Sequence, residues 1–171
     1  MLSDGSLKML LVGDNGVGKT ALFHRLITNT FSRAYQPSDR VSIGCQMLKT
    51  GDFIELWDVP PHQILDHSPA CLCDADAVCI VANDAADDDH LRSIPAWTQI
   101  LDHCLSQAGH KRPLTFVLVN KVAEHDSGAP TVPPDGVVGI FIIDIARDLN
   151  VSQAVLAMVE AVKRRGATED A

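Results

Sequence analysis

Residues 10–12, Leu10-Leu11-Val12, run without a break into Gly13-Asp14-Asn15-Gly16-Val17-Gly18-Lys19-Thr20. An apolar strand, a glycine-rich turn and a helix opening at Lys19-Thr20 are the context that the G-x-x-x-x-G-K-[ST] pattern requires, and little else folds that way. Glycines at 13, 16 and 18 allow turns closed to residues with a Cβ, so that successive backbone N–H groups and a helix N-terminus converge on an anion. Lys19 then adds a point charge at the β- and γ-phosphates, and the Thr20 hydroxyl is a hard oxygen ligand for Mg²⁺. Asp14, Asn15, Gly16, Val17, Gly18, Lys19 and Thr20 are therefore the expected phosphate-binding residues, with Thr20 also a metal ligand.

A chain of 171 residues is one domain by length, 1–171, and large enough to bury a full core without disulfides or metal staples. Its net charge of −8 excludes a broad nucleic-acid or anionic-membrane surface. Five cysteines, scattered through apolar segments, fit a reduced cytoplasmic interior better than a disulfide frame. Cys71-x-Cys73 has no second ligand pair at zinc spacing and reads as two thiols. With no apolar run long enough to span a bilayer, Leu at position 2 and no cysteine after Cys104, no direct membrane anchor is expected, and attachment would come through a partner.

Strands are predicted at residues 9–12, 41–47, 53–57, 77–82, 114–119 and 137–143. The 41–47 and 53–57 pair is joined by a turn at Thr50-Gly51-Asp52. Leu22, Phe23, Leu26 and Ile27 give the first helix an apolar face. Leu91, Ile94, Trp97, Leu101 and Cys104 recur at helical spacing, with Pro95 expected to kink that helix or delay its start. A helix over 63–73 should be short or broken at Pro69. Asn150 is expected to cap a closing helix packed through Val151, Val155, Met158, Val159 and Val162, with Lys163, Arg164 and Arg165 at its end and Gly166 as its stop. The alternation predicts a three-layer α/β domain with a mostly parallel six-stranded sheet and one antiparallel strand, the ligand lying at the carboxyl ends of the strands.

The run from Lys8 to Leu26, with the phosphate-binding pattern at its centre, resembles the opening of a Ras-superfamily small GTPase, nearest to the Rab branch. The likeness extends, with gaps, over most of the chain. It implies a G domain of the P-loop NTPase type, GTP/GDP and Mg²⁺ as cofactors, and a set of further residues. The segment from Phe31 to Ser38 resembles the first switch, making Ser38 the Mg²⁺ ligand. Ser42, in Ser42-Ile43-Gly44, imitates the Rab wording but lies too close to Asp58 to leave room for two full strands. Asp58 stands where relatives hold Mg²⁺ through water.

Departures begin at Val59-Pro60-Pro61-His62, where relatives carry Asp-x-x-Gly-Gln. Pro61 takes the place of the glycine whose N–H binds the γ-phosphate, and proline has no N–H. His62 takes the place of the glutamine that orients water; it either does the same or is a solvated loop histidine. Asn120 and Lys121 match the base-recognition Asn-Lys-x-Asp, but Ala123 replaces its aspartate and cannot accept a hydrogen bond, unless Glu124 or Asp126 substitutes. In Ile145-Ala146-Arg147 only Ala146 is kept from the Ser-Ala-Lys loop, whose alanine N–H faces the guanine oxygen in relatives. The proline-bearing segment 123–136 is too short for the usual fourth helix, which is expected to be reduced or missing, leaving a sheet face beside 137–143 uncovered.

Three functions follow. The first is an atypical Rab-like GTPase with slow or absent hydrolysis, acting on a protein effector or complex subunit through its switches or the face lacking helix four. The second is a pseudo-GTPase interaction module with a static nucleotide or none. A small-molecule kinase or ATPase stands third, since no lid-like segment or acceptor-binding insert is visible.

Overall fold

The computed structural model describes residues 6–34, 38–65, 70–85, 91–108, 111–122 and 132–169. The strand that ends at the glycine turn, β1 (Ser6–Val12), lies inside a six-stranded sheet, flanked in parallel by β3 (Phe53–Asp58) and β4 (Ala77–Asn83). β4 continues in parallel to β5 (Leu114–Asn120), and β5 to the edge strand β6 (Val137–Ile143). The other edge is β2 (Ser42–Met47), antiparallel to β3 from Ser42↔Asp58 to Met47↔Phe53. The order β2-β3-β1-β4-β5-β6 is the mostly parallel six-stranded sheet with one antiparallel strand that the alternation predicted.

Both faces of the sheet are covered at its centre, which is why residues 9–12 of β1 and 77–82 of β4 are apolar throughout rather than at alternate positions. Met9 and Leu11 point to one layer, with α1 (Lys19–Thr28) and α4 (Val151–Glu169). Leu10 and Val12 point to the other, with α2 (Pro61–Leu65) and α3 (Ile94–Ala108). In α3, Ile94, Trp97 and Leu101 are buried and Cys104 packs at the margin; Leu91 packs there too but precedes the helix, which starts only at Ile94. Pro95 falls in the first turn, where a missing N–H costs nothing.

Some boundaries differ from those read in the sequence. α2 opens at Pro61 rather than at 63 and has five residues, followed after residues 66–69 by a single 3-10 turn, Ala70–Leu72. The break expected at Pro69 lies outside the described residues. α4 does not stop at Gly166. It continues to Glu169, with Gly166 at an ordinary helical φ and open space around it. Arg165 reaches the Arg112 carbonyl, and Lys111 pairs with Glu169, so the last turn is anchored to the segment before β5. Lys163–Arg165 consequently sit inside the helix. The Asn150 amide donates to the Ile142 carbonyl at 3.3 Å, and the Asn150 carbonyl accepts the Ala154 N–H at 2.9 Å.

Between β5 and β6, the described residues 121–122 and 132–136 contain no helix. Ala123, Glu124, Asp126 and the rest of 123–131 lie outside the described residues. On β6, Val138 is 51% and Ile142 49% exposed. All five cysteines are free, and burial pushes the Cys79 thiol up to about 12.

Candidate nucleotide site

The site starts where β1 ends. Gly13 takes φ 137°, and a Cβ there would stand 2.2 Å from the Val81 carbonyl oxygen, so only glycine lets the chain turn against β4. Gly18, at φ 108°, opens α1, and its carbonyl accepts the Leu22 N–H at 2.8 Å. Its missing Cβ leaves room for the Asn120 side chain, 3.0 Å from where that atom would be.

Lys19 is buried and curls back over the turn, its ammonium donating to the carbonyls of Gly13 at 3.0 Å and Asp14 at 2.7 Å. Burial lowers its pKa, opposed by the charges of Asp58 and Asp14. Thr20 donates its hydroxyl to Asp58 Oδ2 at 2.6 Å. Asp58, buried at the end of β3, is pushed up by desolvation, against the Thr20 hydrogen bond and the Lys19 charge. An adjacent hydroxyl and carboxylate are hard oxygen donors suited to a small divalent cation that keeps most of its water and its phosphate oxygens. The donor set therefore fits Mg²⁺.

Above these groups lies a cavity of about 960 Å³. The phosphate-binding candidates Asn15, Gly16, Gly18, Lys19 and Thr20 line it, as do Ser38, Asp58, Asn120, Lys121 and Ala146. Val17 is instead buried in the core, so only its backbone belongs to the turn. The Asp14 carboxylate accepts the Trp97 indole N–H at 3.0 Å, and the Asn83 amide donates to the Gly16 carbonyl at 3.4 Å. Helix α3 and strand β4 thus brace the turn from behind.

Ser38 and Ser42 are placed differently. Ser38 is at the cavity wall, its hydroxyl donating to the Arg40 carbonyl at 2.8 Å, whereas Ser42 opens β2 opposite Asp58. Contrary to the expectation from spacing, two six-residue strands do fit between Ser42 and Asp58, because the turn that joins them is short. Tyr35 and Pro37 of the same segment lie outside the described residues. Pro60 and Pro61 form part of the wall. His62 is not among the described wall residues, and its Nε2 is paired with Gln63 Nε2 at 3.1 Å. At the end of β5, Asn120 Oδ1 accepts the Ile145 N–H at 3.2 Å, and the Lys121 N–H donates to the Ile143 carbonyl at 2.7 Å, tying that strand to the loop that carries Ala146.

Against known families, the model described as Roc (Ras of Complex, Roc, domain of DAPkinase) matches residues 8–123. The chain belongs to the Rab-like small GTPases. Among curated relatives of this Rab-like chain, Ras-related protein Rab-7L1 of Homo sapiens is 23% identical over 177 residues, covering 98% of the chain and 87% of that protein. Ras-related protein Rab-7b of Homo sapiens is 26% identical over 156 residues, 86% of the chain and 78% of the relative. The Ypt/Rab-type GTPase YPT7 of Saccharomyces cerevisiae is 26% identical over 132 residues, 71% and 60% respectively. Among the described residues of the Rab-like chain, no helix is long and apolar enough to cross a membrane.

Sequence reasoning missed the residues behind the wall. Arg25 of α1 donates to the carbonyls of Ile145 and Ala146, each at 3.1 Å, and lies 5.5 Å from the Phe31 ring centroid. Its partners are 120 and 121 residues away, and no local pattern marks such a contact. Trp97 was legible as a core residue; its indole bond to Asp14 was not.

Proposed function

We propose that residues 1–171 form one small-GTPase-like domain that binds GTP or GDP with Mg²⁺, hydrolyses GTP slowly or not at all, and acts through a protein effector or complex subunit. The reading rests above all on one juxtaposition: Lys19, Thr20 and Asp58, which meet at the glycine turn, line a single cavity together with Asn120, Lys121 and Ala146. A cavity lined by both groups suits a nucleoside di- or triphosphate, with phosphates at Lys19 and a base at Asn120. Backbone N–H groups of residues 14–20 and the N-terminus of α1 would hold the phosphates, with Lys19 as counter-charge. Thr20, Asp58 and Ser38 would hold the magnesium ion, which when bound neutralises charge on the β- and γ-phosphates. Asn120, Lys121 and the Ala146 N–H would receive the base.

Two features support slow hydrolysis. Pro61 stands at the wall without an N–H, and a hydrogen bond to a charged group is worth roughly 1.5–3 kcal/mol. His62, the candidate water-orienting residue, is turned to Gln63. The same Pro61 favours the second reading, a pseudo-GTPase interaction subunit whose nucleotide is static. Partner contact through the switch segments or the exposed edge at Val138 and Ile142 belongs to either reading.

Heat release of nucleotide from the purified protein, identified by chromatography, is the test. Guanine nucleotide is the expected result. An empty site would instead support the interaction module, and adenine nucleotide would point to kinase or ATPase chemistry.

A further inference from the structure

The Ile145–Ala146 peptide is gripped from the α1 side. Arg25 Nε donates to the Ile145 carbonyl and Nη2 to the next carbonyl, that of Ala146, while the Ile145 N–H is taken by Asn120 Oδ1. Two successive carbonyls are thereby fixed by one planar guanidinium, whose fork geometry a lysine cannot reproduce. The chain has no cis peptide bonds among the described residues, so the C=O of Ile145 and the N–H of Ala146 point in opposite directions within one rigid plane. With the carbonyl held toward α1, the Ala146 N–H is directed away from α1, on the residue that lines the cavity. Arg25 itself is not among the described residues of the wall. It also lies against the ring of Phe31, which is.

We propose that Arg25 is a positioning residue for base selection: by clamping the Ile145–Ala146 peptide it aims the Ala146 N–H at the base, so that the site prefers a purine with a 6-oxo group to one with a 6-amino group. The inference rests on the nucleotide-binding reading above. An N–H pairs with a carbonyl oxygen and is repelled by an amino group, itself a donor. Position 123 supplies no carboxylate to read the 2-amino group, so discrimination falls more heavily on this one amide.

The experiment measures GDP, IDP and ADP affinities with Mg²⁺ for the wild type, Arg25→Ala and Arg25→Lys, with melting temperature as a check on folding. IDP carries the 6-oxo group without the 2-amino group and so isolates the contact. Arg25→Ala should lower the GDP-to-ADP and IDP-to-ADP affinity ratios together by about tenfold, the equivalent of one misaimed hydrogen bond, with Arg25→Lys in between. If wild type binds GDP but both variants keep its ratios, or lose all three nucleotides in proportion, Arg25 has only a structural role and the inference fails alone. Should Arg25→Ala not fold, Arg25→Lys decides by the same ratios. Wild-type protein that binds none of the three overturns the nucleotide-binding reading and this inference with it.

Discussion

Trp97 Nε1 donates to Asp14 Oδ1 at 3.0 Å, joining the first turns of α3 to the phosphate-binding turn across the sheet's carboxyl end. The indole is 3% exposed, so the bond is shielded from water, and it joins the Lys19 and Asn83 side chains in fixing the turn. Trp97→Phe keeps most of the bulk and removes the donor. The expected cost is about 1.5 kcal/mol in chemical denaturation, the low end for a bond to a carboxylate, because Asp14 has other contacts. Unchanged stability would mean that the indole N–H adds nothing to its packing.

Asp58 gives a pH signature. Burial raises its folded pKa above the ordinary 3.8, so with no metal bound its contribution to stability is full below that value and is lost as pH rises through the raised one. Asp58→Asn removes this dependence. At neutral pH and without Mg²⁺ the variant should melt no lower than the wild type, whereas added Mg²⁺ with nucleotide should stabilise only the wild type, and less so as pH falls and the proton competes. Equal Mg²⁺ stabilisation of both proteins would exclude Asp58 from the metal site.

Gly166 separates two descriptions of α4. In a helix interior with free space around it, alanine is the better residue, and Gly166→Ala should stabilise by about 0.5–1 kcal/mol in thermal or urea unfolding. A left-handed stop at this position would make the same substitution destabilising.

Pro61 bears on switching. Pro61→Gly restores an N–H at the cavity wall and should raise the GTP-to-GDP affinity ratio by about tenfold, the value of one bond to a charged oxygen. The ratio is the readout, since loss of the proline also loosens the start of α2. An unaltered ratio would show that the second switch does not sense the terminal phosphate through this position.

The sequence by itself determined the frame. The glycine turn, the buried strands and the 3.6-residue periodicity of α1, α3 and α4 are local patterns, and each was legible because burying an apolar face allows few arrangements. The candidate phosphate and magnesium residues Lys19, Thr20 and Asp58 were legible for a related reason: backbone geometry forces glycine at fixed offsets, and the carboxylate falls at the end of an apolar strand.

The tertiary structure alone decided what stands behind the site. The span of α4 past Gly166 depends on Arg165 and Glu169 meeting the segment before β5, and a glycine cannot be read as stop or interior without those partners. Arg25 and Trp97 act on residues 120 and 83 positions away, reached only after the sheet has formed. A polar side chain's partner is set by what packing brings within about 3 Å, and no period in the sequence encodes that distance.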